Sequence, residues 1–449
     1  MADLGLIALV IAFVIAAFGI GASLLGAWQN RLALVVAGRN ALYVVCGFVG
    51  LASLALLLSL LRHDYSLTYV ANQVSNTQPL FYNISSFWGG QAGSLLFWTL
   101  VLAGYSAAIT LAQWKHQPVL RPYVTAVLLA VLLFFLTVLL VGANPFNRLW
   151  LLPTGATASA LFPPAGAVPA QLTDGSGLNP VLQNYWMVIH PVMLYLGWIG
   201  MVVPFAFAVA ALATRQLGNE WVRIIRRWTL VPWMFLTAGV LMGSQWAYVE
   251  LGWGGFWAWD PVENASLLPW LTATAFLHSI MIQERRGMLK VWNMALIFLT
   301  FELTMVGTFI TRSGVIESVH SFALSNIGPL FLSFIAISMF GFLWLLGSRL
   351  PDLRSANHLD SMLSRESAFL FNNLILVLIM AVTILGTFYP IISDLLSQFL
   401  PIERMSFAEP WFNKSTGPLF LLLIVLMGSA PLLSWRRSSK ETLRKNFTF

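Results

Sequence analysis

Six histidines and one cysteine are the side chains of this sequence best suited to metal chemistry. Cys46 stands alone within an apolar run, which excludes disulfides, thiolate clusters and a Cys-x-x-Cys-His heme attachment site in the chain itself. Metal binding therefore falls to histidine. His116 and His358 sit among polar residues between apolar spans and read as solvated side chains, and His63, between Arg62 and Asp64 at a helix end, reads as an interfacial anchor. His190 and His320 differ: each stands at the boundary of an apolar span, on the side that the charge pattern below makes external. Two neutral imidazoles on one face could approach the two axial positions of a single heme iron. His278 lies about 13 residues into an apolar span, roughly 20 Å below that face at 1.5 Å per residue. A ring that polar in lipid either hydrogen-bonds a neighbouring helix or ligates a second, membrane-buried heme. Glu302, also deep in a span, could be protonated, paired or part of a proton path.

Between His190 and His320 runs Trp253-Gly254-Gly255-Phe256-Trp257-Ala258-Trp259-Asp260-Pro261. Trp246, Trp253, Trp257, Trp259 and Trp270 fall within 25 residues. An interfacial aromatic belt explains the abundance of tryptophan but not its arrangement with two glycines and an Asp-Pro. If the stretch is helical, Trp253, Trp257 and Asp260 share a face. The glycines would let a flat ring approach the backbone closely. A porphyrin is a large apolar disc with two anionic propionates: indole faces would bury the disc, at roughly 25 cal/mol per Å², and Arg312 would stand near the propionates. With this segment between them, axial ligation is the favoured reading of His190 and His320 over a structural role.

These residues need elements to position them. The chain is 449 residues long, 58% hydrophobic, 14% aromatic and only 9% charged, a composition that cannot form a water-facing surface. Apolar runs of about 20 residues, enough to cross ~30 Å of hydrocarbon, occur at roughly 4–29, 42–61, 94–113, 122–142, 192–213, 229–249, 265–283, 291–311, 326–347, 367–391 and 416–434. The expected fold is an all-α polytopic bundle of about eleven transmembrane helices forming one domain over 1–449, because continuous apolar runs exclude the alternation of a barrel. The first run lacks the basic flank of a cleavable signal peptide and is too long for one, so it reads as a retained span.

Of the 24 Lys and Arg residues, 19 lie on one side of these spans and 5 on the other. The positive-inside rule puts the N-terminus outside and the basic tail, 435–449, in the cytoplasm. The net charge of +7 reflects these blocks rather than a nucleic-acid site. The external segments are then 62–93, 143–191, 250–264 and 312–325, with a further one at 392–415; the second, with Pro163-Pro164 and Asp174-Gly175-Ser176-Gly177, reads as an ordered but irregular loop.

The sequence resembles the tryptophan-rich heme-handling membrane proteins of cytochrome c biogenesis, in their heme lyase branch. Besides 253–264, the resemblance rests on Trp88-Gly89-Gly90-Gln91, Gly93-Ser94-Leu95-Leu96, Gly177-Leu178-Asn179-Pro180 and Ile189-His190-Pro191 with Leu194-Tyr195. It continues through Gly307-Thr308-Phe309 and Thr311-Arg312-Ser313-Gly314-Val315 to Ser318-Val319-His320-Ser321-Phe322. The motifs span about residues 70 to 325 in family order. The resemblance implies that His190 and His320 are the external axial ligands, that 253–264 is the heme shelf, and that His278 is one ligand of a permanent intramembrane heme b. It further implies a bacterial inner-membrane location and transient external heme delivered by the chaperone CcmE. A CcmH-type thiol-handling subunit would present apocytochrome c for thioether attachment, so no acid–base catalytic residue is required of this chain.

Val192 departs from the family, which often has a second proline after His190-Pro191. Full-length members also continue into further helices bearing another intramembrane histidine, and the expectation is a truncated form or one completed by a second polypeptide. Competing readings are a heme transporter or delivery subunit without lyase activity, a lyase relative dedicated to nitrite reductase, and a quinol-oxidising cytochrome b. The number of spans and the blocks at 88–96 and 177–195 favour the lyase class over the transporter.

Overall fold

The computed structural model describes residues 1–252, 254–313, 315–316, 327–355, 357, 359–401 and 403–447. Helices α1 (Ala2–Trp28) and α2 (Leu32–Leu61) lead into the short α3 (Thr68–Gln73) and α4 (Leu80–Gly89), followed by α5 (Gln91–Gln113) and α6 (Arg121–Thr137). Strands β1 (Arg148–Leu151), β2 (Thr157–Ala160) and β3 (Val168–Pro169) come next. Then follow α7 (Tyr185–Gly200), α8 (Val202–Thr214), α9 (Glu220–Glu250), α10 (Pro261–Arg286) and α11 (Lys290–Ser313). The chain continues with α12 (Gly328–Gly347), α13 (Arg365–Ser397), α14 (Glu409–Ser429) and α15 (Lys440–Phe447).

The protein is a mainly helical polytopic membrane protein, as expected, with one small sheet outside the helical bundle. Among the described residues ten helical units are long and apolar enough to cross a bilayer, α7 and α8 counting as one unit broken at Met201. The one expected span without a counterpart among these ten, 229–249, corresponds to α9, which does not meet that measure of apolarity. Its charges, Glu220, Arg223, Arg226, Arg227 and Glu250, lie at its ends, and its interior is diluted by Pro232, Thr237, Gly239, Gly243, Ser244 and Gln245. At 31 residues it extends roughly 46 Å at 1.5 Å per residue, and it packs against α7, α10 and α8 while Leu230, Met234 and Leu241 face outward.

Packing runs in chain-local groups: α1 against α2 and α6, α7 against α9, and α10 against α11 and α13. The α7–α9 seam is closed by small residues. A Cβ on Gly197 would stand 2.6 Å from Leu236 Cβ, and one on Gly239 2.7 Å from the Leu194 backbone nitrogen. In lipid, where apolar side chains gain little by leaving their surroundings, such close backbone approach is what holds helices together.

The two ends of the bundle differ. One carries the sheet, α3, α4 and the 251–260 turn, cross-linked by the Asp3–Arg148 ion pair at 2.6 Å, a Tyr65–Asp174 hydrogen bond and an Asn184–Glu250 hydrogen bond. The arginine-rich end is joined by Arg226–Glu284 at 3.1 Å and Arg286–Asp360 at 3.0 Å. The stretch expected to be an irregular loop at 143–191 instead builds an antiparallel sheet of order β2-β1-β3 and gives its last residues to α7.

Candidate functional site

His190 lies in the second turn of α7 rather than ahead of it, because Asn184 caps the helix by accepting from the Trp186 backbone N–H at 2.8 Å. Its Nδ1 stands 2.9 Å from the Trp186 carbonyl oxygen. With Nδ1–H donating there, the lone pair resides on Nε2, the arrangement of a metal-ligating imidazole held by a backbone acceptor. The ring is only 8% exposed and lies over Trp246 of α9, centroids 5.6 Å apart and planes 26° apart.

A cavity of about 100 Å³ opens at this ring. Its walls include Trp88 from α4, Trp98 from α5, Tyr195 and Trp198 from α7, Trp246 from α9 and Arg312 from the end of α11. Trp98 meets Trp198 edge-on at 5.5 Å and Tyr195 at 4.9 Å. Arg312 donates to the Tyr195 hydroxyl at 3.3 Å. Trp88, Trp98 and Trp198 each bury an indole N–H that has no acceptor among the described residues. Buried donors of this kind, beside a guanidinium, match a ligand that brings an aromatic body and acceptor oxygens.

The structure thus brings His190 and Arg312 together. It does not bring Trp257, Trp259 or Asp260 into this cavity. Residues 251–260 are not helical among those described, so the shared helical face expected of Trp253, Trp257 and Asp260 does not form. The chain turns at Gly254 (φ 70°) and again at Trp259 (φ 60°). Trp257 packs edge-on to Trp259 at 6.0 Å and buries an indole N–H with no acceptor among the described residues. Trp259 stacks on Phe412 of α14 at 5.1 Å, donates to Asn413 Oδ1 at 2.8 Å and lines a different cavity of about 430 Å³. Asp260 caps α10: its carboxylate accepts from the Val262 N–H at 2.9 Å, and Glu263 reaches back to the Asp260 N–H at 3.1 Å, a full capping box. Gly255 adjoins this turn, while Trp253 and His320 lie outside the described residues, as does His358.

His278 sits on α10 only eight residues before its end at Arg286, so it is nearer the arginine-rich end than the sheet end. Its Nδ1 lies 2.7 Å from the Asn372 side-chain amide of α13, and Phe369 packs against the ring. The amide nitrogen Nδ2 faces Nδ1, a placement in which Nδ1 accepts and Nε2 carries the proton; with the amide turned over, Oδ1 accepts from Nδ1–H and the lone pair falls on Nε2, the ligating tautomer. The donor chemistry therefore fits one axial position of a heme. Glu302 is buried within α11.

Sequence reasoning did not single out Trp98, Trp198 or Tyr195 as cavity walls. Tyr195 appeared only inside a motif, and aromatic residues inside apolar spans carry no signal of which way they face.

The sequence profile of the cytochrome c assembly protein family matches residues 88–317, the segment containing every described wall of the His190 cavity. The chain is 39% identical to the cytochrome c-type biogenesis protein CycK of Bradyrhizobium diazoefficiens, over 97% of this chain and 63% of that protein. It is 38% identical to CcmF of Pseudomonas aeruginosa, over 98% of this chain and 64% of that protein. The solved structure of the cytochrome c heme lyase CcmF superposes with a TM-score of 0.77 at 36% identity, covering 99% of this chain and 64% of that one. The chain thus spans a little under two thirds of the length of the relatives it matches. On the family profile, which covers just over half of its residues, the chain belongs to the cytochrome c assembly protein family.

Proposed function

We propose that this chain supplies the heme-handling core of a cytochrome c heme lyase. In this reading the sheet end is the outer face of a bacterial inner membrane, with the N-terminus outside and the C-terminal tail in the cytoplasm. The observation that carries the proposal is the convergence of His190, Arg312, three buried tryptophans and the half-buried Trp88 on one cavity. Heme is the substrate there, taken from the chaperone CcmE and joined to apocytochrome c presented by a CcmH-type subunit.

The geometry of His190, Trp246 and Arg312 supports these roles. His190 offers Nε2 to the iron, with Trp186 and Trp246 fixing the ring; His320 is proposed as the opposite axial ligand. Arg312 and the indole donors receive the propionates. In the reaction each cysteine sulfur bonds to the vinyl carbon next to the macrocycle and the thiol proton goes to the terminal vinyl carbon, so attachment involves no net oxidation. The protein contributes orientation, holding vinyl and thiol at attack distance. The cavity of about 100 Å³ is smaller than the usual range of ligand sites, ~300–1,000 Å³, so heme entry requires its walls to part. Reducing equivalents that keep the outer iron ferrous are what a resident heme b at His278 supplies when bound, with Asn372 setting the imidazole tautomer.

Heme analysis of purified His190→Ala, His320→Ala and His278→Ala chains tests the ligands; unchanged spectra and heme content in all three would overturn the assignment. Lyase and delivery roles separate in a strain given preloaded chaperone. Attachment of heme to apocytochrome c without this chain would leave it a delivery role only.

A further inference from the structure

The α10–α13 interface carries a stripe of polar side chains that the proposed heme chemistry does not use. Ser279, Gln283 and Arg286 recur at i, i+4 and i+7 on α10, and Glu366 and Asn373 at i and i+7 on α13, so each set shares one helix face. The helices run antiparallel, with Arg286 against Glu366 at 3.7 Å and His278 against Asn372 at 2.7 Å. The stripe is graded from solvent inward. Asp360, paired with Arg286 at 3.0 Å, is 44% exposed, the Arg286 side chain is 8% exposed and the Glu366 side chain is fully buried. From α11, Asn293 donates to Gln283 Oε1 at 2.7 Å.

Much of this stripe lacks hydrogen-bond partners among the described residues. Both carboxylate oxygens of Glu366, both amide atoms of Asn373, the Ser279 hydroxyl and Asn293 Oδ1 are buried without a hydrogen bond among the described residues. Such groups are rarely left bare in a folded interior, and donors and acceptors spaced along two helix faces are what a buried water needs to make its two to four bonds. Apolar side chains at these positions would pack this seam with no such demand.

We propose that the interface of α10, α11 and α13 binds a file of water molecules leading from the Arg286–Glu366 pair to Asn373 and Ser279. The file gives water, and with it protons, a path from the arginine-rich end to the interior beside His278. Glu366 forms its mouth, held by Arg286 with Asp360 and Arg436 outside it. Ser279 and Asn373 are its inner lining.

Silver ion, small enough to travel where water does and captured by thiolates, tests this in the full chain reconstituted in vesicles. Cys46 is first replaced by Ser, which can keep its hydrogen bond to the Ala103 carbonyl. Ser279→Cys, Asn373→Cys and Ile280→Cys are then compared, with Leu363→Cys as the exposed control. The readout is the fraction of thiol blocked from N-ethylmaleimide after denaturation, by mass. Silver should protect positions 279 and 373 at least about tenfold faster than position 280, since only a wetted thiol ionises and reacts. Adding Glu366→Leu should slow protection at 279 while leaving 363 unchanged. Protection at 279 and 373 no faster than at 280, with 363 protected normally, would overturn the proposal. So would insensitivity of 279 to Glu366→Leu.

Discussion

The imidazole of His190 lies against the indole of Trp246 with their planes 26° apart, so a residue of α9 fixes the orientation of the proposed iron ligand on α7. An aromatic contact of this kind is worth about 0.5–1.5 kcal/mol. Trp246→Leu removes it while keeping the position apolar, and should weaken heme binding by at least about 2- to 12-fold, the same energy expressed as a ratio. Trp246→Phe should retain most of the affinity. Heme titration of the purified variants, followed in the Soret band, checks both; equal affinity for wild type and Trp246→Leu would mean that the ring does not depend on its neighbour.

Asp260 separates two uses of one residue. As the cap of α10 it should be replaceable by Asn or Ser, which also accept from the second or third backbone N–H of a helix, and not by Ala, which should cost about 0.5–2 kcal/mol of stability. If the carboxylate instead touches heme, Asn and Ser should impair heme binding as much as Ala. Thermal unfolding and heme affinity measured together on the three variants distinguish the outcomes, and the geometry predicts that Asn and Ser behave as wild type.

The seam between α7 and α9 admits no added methyl group. At Gly197 a Cβ meets three Leu236 atoms at 2.6–2.7 Å, two of them backbone, so a side-chain rotation cannot relieve it. Gly197→Ala should therefore spread the helices and destabilise by about 1–3 kcal/mol. Because His190 and Trp246 sit on these two helices, heme affinity should fall with stability. Gly47→Ala, on α2 with nothing within 4 Å of the added carbon, is the matched control and should change neither.

Asn372 holds the only side-chain hydrogen bond to His278 recorded among the described residues. If His278 ligates an intramembrane heme, Asn372→Leu removes the partner that selects the ligating tautomer, and loss of such a partner lowers metal affinity by about 10- to 100-fold. Asn372→Asp should preserve occupancy, since a carboxylate also accepts from Nδ1–H. Heme content of the purified chain by pyridine hemochrome is the measurement, and full occupancy in Asn372→Leu would detach His278 from that role.

How much of this was legible in the sequence depended on whether the signal was local. Apolar runs reported the spans, and the alternation of arginine blocks separated the two ends, because both follow from transfer energies of single segments. The position of α9 was legible too, although Pro232, Thr237, Ser244 and Gln245 make its interior less apolar than that of the other spans. The capping box was also written locally, in Asp260-Pro261-Val262-Glu263, yet the same Asp260 was expected to face heme. What could not be read was long-range. Trp259 turns away from the His190 cavity because it finds Phe412 and Asn413, more than 150 residues later, and because it adopts a positive φ that sequence does not announce for tryptophan. Trp98 and Trp198 look like lipid-facing aromatics until their helices are packed. The sheet was hidden because β2 is Thr-Ala-Ser-Ala, a sequence of little strand preference held by pairing with β1.

Asp174 ties the 173–176 segment to the 65–76 segment, and its carboxyl is held below the usual range. The main cause is the Asn76 backbone N–H donating at 2.7 Å; burial opposes it, and the Gly175 N–H, the Tyr65 hydroxyl and the charge of His63 add to the lowering. A group whose folded pKa is depressed contributes its stabilisation fully above its unfolded pKa, about 3.9 for Asp, and loses it as pH falls through the lower folded value. The tether should therefore be constant from neutral pH down to about 4 and weaken only below that. Hydrogen exchange at the Asn76 and Gly175 amides, normalised to unstructured-peptide rates, should show flat protection that drops in the acid range. Asp174→Asn should show lower protection at neutral pH and no acid step, because the amide offers an uncharged acceptor that does not titrate. An acid step that persists in Asp174→Asn would assign it to another carboxylate.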